Sequence, residues 1–173
     1  MKDKEKNSRF YLIDHKFKRN KGKYIAQCTM AAVAISAILI FLDTLFNSAV
    51  LAAFGATSFI VFAMPQQKTS NPRRLIGGYI VGIGVGVGMR SLESLLPASE
   101  ALWLVSLFGA LAVAISIFIM TMTNTEHPPA AGAALGIALD GIEPVGILII
   151  LLAVGILVAI KYALRRWMIN LFE

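Results

Sequence analysis

Six apolar segments fill most of this chain and restrict it to a membrane fold. They run through residues 25–42, 46–64, 75–89, 101–123, 128–139 and 145–164. A helix needs about 20 predominantly apolar residues to cross a bilayer, where only helices and closed barrels satisfy their backbone hydrogen bonds. Apolar residues make up 57% of the chain and charged residues 15%, unlike a soluble domain. The sequence therefore predicts an all-α, polytopic membrane helical bundle with six membrane segments.

The fifth segment is too short to cross a bilayer as a straight helix. It contains 12 residues, 128–139, which span about 18 Å at 1.5 Å per residue. The sequence predicts a short or re-entrant half-helix at this point. Residues 54–57 also resemble residues 131–134, which is compatible with a 3+3 inverted repeat of the transporter kind. Chance recurrence of small apolar residues accounts for that similarity equally well.

Charge placement predicts the orientation in the membrane. Nine of the sixteen Lys and Arg residues lie in the basic tail, residues 1–23. If each segment reverses direction and the N-terminus is inside, the positive-inside rule is obeyed with Arg90 as the exception. The other cytoplasmic charges are then Lys68, Arg73, Arg74, Lys161, Arg165 and Arg166. We expect a multi-pass protein of the cytoplasmic membrane with both termini inside.

The basic tail is predicted to meet membrane lipids rather than nucleic acid. Its charges precede the first apolar segment and alternate with aromatic residues, a pattern that suits anionic headgroups. A short surface helix and a disordered tail are both compatible with it. A transmembrane domain over residues 24–166 and a short C-terminal end, residues 167–173, complete the expected organisation.

Glycines mark where helices are expected to touch. Gly78, Gly82 and Gly86 recur every four residues and share one helix face. Backbones approach closely along such a face, either within one chain or between subunits. Since so short a chain scarcely walls off a wide pore alone, we expect a homo-oligomer.

A polar hexamer, Asn124-Thr125-Glu126-His127-Pro128-Pro129, separates the fourth and fifth segments. Prolines fit the first turn of a helix, whose N-terminus favours anions. Amide, hydroxyl and imidazole groups add donors, so a small monovalent anion matches the set. Glu126 would repel an anion unless it points away, is protonated, or pairs with His127, Arg73 or Arg74. A Glu beside a His could equally relay a proton, so that anion and proton move together. His127 as a helix cap that only bonds a carbonyl is the structural alternative.

Three ordered motifs resemble the HPP family of integral membrane proteins. They are residues 125–135, residues 55–58 and residues 71–78, and the likeness extends over residues 24–164. The resemblance implies a small helical membrane protein, and plastid and cyanobacterial members of the family are associated with nitrite transport. Some bacterial members append CBS domains, for which this sequence has no room. Glu126, directly before the HPP tripeptide, departs from the family pattern.

These observations predict a transporter or channel for a small monovalent anion, with nitrite as the leading candidate. The helix starting at Pro128 is expected to meet a turn around residues 55–58 near the bilayer midplane. The candidate substrate-binding residues are His127, Asn124, Thr125, Pro128, Pro129, Thr57, Ser58, Gly55, Glu126 and Arg73. No cofactor is expected. No metal site is expected either, because His15 is in the basic tail and no second His or Cys is available to complete a usual ligand set with His127.

Two readings from other classes stay open. In the first, the protein is a non-transporting regulatory or scaffold protein whose basic tail is the active part. In the second, His127 and Glu126 act as acid and base of an intramembrane enzyme. We expect no enzyme activity, since no serine elbow or metal-ligand set accompanies His127.

Overall fold

The computed structural model describes residues 15–42, 48–97 and 101–171, and this part of the chain is all-helical without strands. The expected all-α class is confirmed. The six helices are α1 (His15–Leu42), α2 (Ser48–Ala63), α3 (Pro72–Ser94), α4 (Leu102–Thr123), α5 (Pro128–Asp140) and α6 (Pro144–Leu164). A 3₁₀ turn, Lys68–Ser70, joins α2 to α3.

Three of these helices are long and apolar enough to span a membrane. They are α3, α4 and α6, while α2 offers a shorter apolar stretch, Ala49–Ala63. Helix α5 has 13 residues, or about 20 Å, so it is as short as the sequence predicted. The protein is thus a helical membrane protein, with three candidate spans in the part of the chain that the structure describes. Six membrane segments and the inverted repeat stay predictions.

Helix α5 lies at the centre of the described bundle. Its buried residues are Pro129, Ala130, Ala131, Ala133, Ala134, Gly136, Ile137 and Ala138. Alanine and glycine leave room for neighbouring backbones, and α2, α3 and α4 all pack on this helix. A short helix surrounded in this way need not reach both membrane surfaces.

The glycine face of α3 receives α5. A Cβ added at Gly78 would lie 2.7 Å from the His127 Cβ, and one at Gly86 would lie 2.9 Å from the Ala134 carbonyl oxygen. The contacts advance together along both helices, so α3 and α5 run parallel. The glycine face proposed as a possible subunit interface is therefore occupied within the chain. The expected homo-oligomer needs another surface and stays a prediction.

The residues after α6 pack against the first two helices. Met168 and Leu171 are buried, and the Leu171 amide donates to the Ala63 carbonyl at 2.8 Å. The buried Gln27 amide donates to the carbonyls of Phe62 and Ile169 and accepts from the Ile169 amide. Residues 168–171 thus pack into the core of the fold, while Arg165, Arg166 and Trp167 before them are exposed.

The described part of the basic tail, residues 15–23, is helical and continuous with α1 apart from a non-helical backbone at Asn20. Phe17 and Tyr24 pack edge to face across that point. The remaining tail residues, 1–14, and the last two residues of the chain lie outside the described residues. The expected lipid contact of the tail stays a prediction.

One sequence expectation is wrong, and the structure adds partners for Arg90. Residues 55–58 form no turn, because α2 continues through them as regular helix. Arg90, the exception to the charge rule, pairs with the buried Glu93 at 2.8 Å and donates to the Leu139 carbonyl at 3.4 Å. The pair balances this charge locally, but the positive-inside rule counts Lys and Arg whatever their partners, so Arg90 remains its exception.

Replacing Gly82 by alanine tests the α3–α5 packing. The new Cβ would clash with the Ala130 carbonyl oxygen, which belongs to helix backbone that cannot rotate away. We expect Gly82→Ala to lower the free energy of unfolding by about 1–3 kcal/mol. At Gly84, on the same helix, the new Cβ would meet nothing within 4 Å, so Gly84→Ala should be neutral or stabilising by up to about 1 kcal/mol. Thermal unfolding in detergent measures both; equal melting temperatures would contradict the packing.

Candidate functional site

The polar hexamer forms a tight connection between α4 and α5. Asn124 ends α4 in the left-handed conformation, with φ 55°, which asparagine tolerates better than most residues. His127 has extended backbone and precedes the two prolines, which occupy the first helical positions of α5. This arrangement turns the His127 side chain into the protein, where it is fully buried.

His127 belongs to a buried polar chain made of Tyr79, Thr57, His127 and the Thr69 carbonyl. Its Nδ1 lies 3.1 Å from the Thr69 carbonyl oxygen and its Nε2 lies 3.1 Å from the Thr57 Oγ1. The Thr57 Oγ1 lies 2.8 Å from the Tyr79 hydroxyl. A carbonyl only accepts, so Nδ1 carries the hydrogen and Nε2 accepts from Thr57 in the neutral ring. Tyr79 then donates to Thr57.

Thr57 has a second acceptor within reach. Its Oγ1 also lies 2.9 Å from the Ala53 carbonyl oxygen, one turn back in α2. If the His127 Nε2 were protonated, the Thr57 hydroxyl would accept from it and donate to Ala53 instead. The polar chain therefore accommodates a neutral or a charged imidazole with the same heavy-atom positions.

Burial favours the neutral ring. His127 lies in the connection between two helices, outside the three apolar spans, and its burial lowers the pKa of the imidazole to about 4. The hydrogen bond to the Thr69 carbonyl acts in the opposite direction with a smaller effect. Tyr79 packs against the ring at 5.7 Å between centroids and is itself stacked on Phe54. At neutral pH the buried polar chain is uncharged.

Arginines from the first turn of α3 hold the exposed side of the hexamer. Arg74 pairs with Glu126 at 2.9 Å and also donates to the Asn124 side chain. Arg73 donates to the Thr123 carbonyl at 3.2 Å. The Glu126 carboxylate is thus directed to an arginine, one of the partners the sequence proposed, and not to His127. This ion pair is partly exposed, and pairs near the surface contribute about 0–1 kcal/mol, so its main effect is on local charge.

The structure brings some of the other predicted residues to the site and leaves others outside it. Thr125 is buried against Gly77, and its hydroxyl lies 2.8 Å from that of Thr123. Ser58 is buried, and its Oγ has no hydrogen-bond partner among the described residues. Gly55 is exposed on the opposite side of α2 from Thr57, away from the buried polar chain.

The start of α5 offers fewer donors than the sequence suggested. Pro128 and Pro129 have no N–H, Pro128 is exposed and Pro129 is buried. The Ala130 amide donates to the His127 carbonyl at 2.9 Å. The expected anion-binding helix N-terminus is therefore closed in this conformation.

Comparison with known proteins places these features in a family. Residues 17–170 match the model of the family described as HPP, transmembrane region. The chain belongs to the HPP family. The match includes every described helix residue from Phe17 onward and the residues after α6 as far as Asn170.

A curated relative adds no function to this assignment. A protein of Dictyostelium discoideum, named only as a transmembrane protein, is 36% identical over 91 residues, which are 53% of this chain and 30% of the relative. The chain thus spans less than a third of that relative. No solved structure matches.

Sequence reasoning missed two partners of the HPP histidine. Tyr79 lies in an apolar helix, where a hydroxyl group is a sign of a buried polar contact. The sequence does not show whether the Tyr79 side chain points into the protein. Thr69 contributes a backbone carbonyl, which no side-chain pattern reveals. Lys161 was noticed only as a charge for orientation, although a lone cation within an apolar helix is itself a signal.

Removing the Thr57 hydroxyl tests the buried polar chain. Thr57→Val leaves the Tyr79 hydroxyl and the His127 Nε2 without their partner, which costs about 1–3 kcal/mol of unfolding free energy. Thr121→Val is the matched control, because Thr121 makes the same kind of bond to a carbonyl one turn back, that of Ile117, but is exposed. The control should stay within about 0.5 kcal/mol of wild type. A Thr57 variant as stable as the control would contradict the hydrogen bonds.

The pH dependence of stability tests the neutral imidazole. Because the folded pKa lies below the ordinary value of 6.5, the unfolded state takes up the proton first as pH falls. The stabilisation is present above pH 6.5 and is lost between pH 6.5 and 4, reaching roughly 3 kcal/mol at about 1.4 kcal/mol per pKa unit. Thermal unfolding at pH 7, 6 and 5 should show this loss in wild type and a flatter profile in His127→Gln. Parallel profiles would refute it.

Proposed function

We propose that this HPP-family chain is a membrane transport protein for a small monovalent anion, with nitrite as the leading candidate. The observation that carries the proposal is the buried polar chain at the broken start of α5. Polar groups in the apolar interior of a membrane protein are costly. Where they occur they usually line a solute pathway and seldom face lipid. The nitrite association comes from the HPP resemblance.

Local charge supports an anion over a cation. Arg73 and Arg74 flank the exposed side of the hexamer, and Lys161 is buried beside the 3₁₀ turn that His127 contacts. Glu126 is the one carboxylate in the hexamer, and Arg74 neutralises it. The excess positive charge raises the local concentration of small anions.

In the proposed mechanism the anion replaces bonds that the protein makes to itself. Thr57 and Tyr79 have hydroxyl hydrogens, and His127 has a ring N–H, so all three groups can donate to an anion. In the described conformation they are bonded to one another and to the Thr69 carbonyl. Access requires the start of α5 to separate from α2, and anion binding offsets the loss of those bonds.

The remaining features of the proposal follow from the sequence. The protein lies in the cytoplasmic membrane with both termini inside, its basic tail on anionic headgroups. It assembles as a homo-oligomer through surfaces other than the glycine face of α3. The coupling to protons is open to test, because the buried polar chain accommodates a protonated His127.

A non-transporting regulatory or scaffold role is the second candidate. It is favoured by the observation that both ring nitrogens of His127 are bonded to protein groups. In that case the HPP tripeptide maintains the fold, and deletion of residues 2–23 abolishes function while nitrite uptake is absent.

Uptake of nitrite into proteoliposomes separates the two candidates. We expect saturable uptake by wild type, with which formate or nitrate competes. In Thr57→Val and His127→Gln the uptake rate should fall about tenfold or more, which is the effect expected from losing one hydrogen bond to a charged ligand. Thr121→Val should retain wild-type uptake. Each variant is compared per amount of folded protein, with and without a pH gradient.

Two results would count against transport. Absence of uptake for all of these anions would favour the regulatory reading. Equal uptake by Thr57→Val and Thr121→Val would show that the buried polar chain is not on the pathway.

A further inference from the structure

A buried cation lies near the C-terminal end of α6. Lys161 is 9% exposed, and its ammonium donates to the Ser70 carbonyl in the 3₁₀ turn. No carboxylate of the described residues pairs with it, since the two ion pairs in this part of the chain are Arg74 with Glu126 and Arg90 with Glu93. A buried charge without a counter-charge is among the most costly groups in a protein interior.

The same point of the fold holds a hydroxyl without a partner. Ser70 is fully buried, and its Oγ makes no hydrogen bond to any described residue. An ammonium has three donors, of which the Ser70 carbonyl takes one. Lys161 and Ser70 therefore present unused donors and a positive charge, and their complement is a small, negatively charged acceptor.

The start of α5 has the opposite property. Its prolines have no N–H, the Ala130 amide is bonded to the His127 carbonyl, and Thr57 and His127 are bonded to each other. Donors that are already used cannot hold an anion without a conformational change. The free donors lie one residue from the carbonyl that His127 contacts, at Ser70 rather than Thr69.

We infer that Lys161 and Ser70 form the resting site of the anion, a monovalent species of the size of nitrite, nitrate, formate or chloride. The inference rests on the proposed function for its ligand class. The buried polar chain around His127 is then a neighbouring element that the ion meets after this site. The phosphate of a lipid headgroup is also a negatively charged hydrogen-bond acceptor. The burial of both Lys161 and Ser70 favours a small free anion over it.

Anion-dependent thermal stability of the purified full chain tests the site without requiring transport. A ligand that binds the folded state raises the melting temperature in a saturable way. Sodium nitrite is titrated against sodium gluconate at equal ionic strength. We expect a saturable rise for wild type, no rise for Lys161→Met, and a half-effect concentration about tenfold higher for Ser70→Ala, whose lost hydroxyl would have bonded a charged ligand.

The controls separate a site from general electrostatics and from misfolding. Lys68→Met removes one lysine charge from the 3₁₀ turn that Lys161 contacts, but Lys68 is exposed, so this variant should behave as wild type. Ser70→Ala removes an atom without a protein partner, so its stability without nitrite should be unchanged. The Ser70→Ala variant therefore still tests the site if Lys161→Met fails to fold.

Three results would overturn the inference. The first is a nitrite effect in Lys161→Met and Ser70→Ala equal to that in Lys68→Met. The second is that nitrite, nitrate, formate and chloride have no saturable effect on wild type. The third is stabilisation by phosphatidylglycerol that requires Lys161 while nitrite has no effect, which would assign the site to lipid.

The proteoliposome assay distinguishes failure of this site from failure of transport. Saturable binding that depends on Lys161, together with absent uptake, would support the site and refute the transport proposal. Uptake that is lost in Thr57→Val but normal in Lys161→Met and Ser70→Ala would support transport and refute the site.

Discussion

The hydrogen bond between the His127 Nδ1 and the Thr69 carbonyl is the constraint on which the rest of the described structure depends. It fixes the beginning of α5 against the turn that leads into α3, while the other ring nitrogen holds Thr57 of α2. One side chain thereby sets the depth at which α5 starts. Because the ring is fully buried, both bonds must form for the imidazole to be accommodated at all.

The composition of α5 follows from this position. A helix held between α2, α3 and α4 is buried over most of its surface, so small residues replace the large apolar residues of α4 and α6. On α3 the matching residues are glycines at one turn's spacing, each opposite an atom of α5. Large apolar side chains appear instead on the outer faces, where Leu102, Trp103 and Phe118 are exposed.

The sequence predicts those features that depend on local chemistry. The two prolines and the polar residues before them mark the start of a short helix, and the glycine spacing marks a packing face. The sequence also predicts that Thr57 and His127 belong to one site, through the family motifs. It predicts a turn at residues 55–58, however, where α2 is continuous. It does not predict that Tyr79 points inward, because the orientation of one residue in a uniformly apolar helix is set by tertiary packing. Nor does it show that the Ala130 amide at the start of α5 is already bonded to the His127 carbonyl, since backbone partners leave no trace in a side-chain pattern.

The interlock between α1 and the residues after α6 has a consequence for biosynthesis. Gln27 bonds the Ile169 backbone across 142 positions of sequence, a separation that makes the contact late to form. While the helices between them are being inserted, this side chain has to remain hydrated or find temporary partners, since an unbonded amide in hydrocarbon is costly. The bundle is thus complete only after the residues beyond α6 have left the ribosome. Premature termination there would leave the Gln27 amide without its bonds to Ile169, and membrane quality-control machinery can recognise such an unbonded polar group.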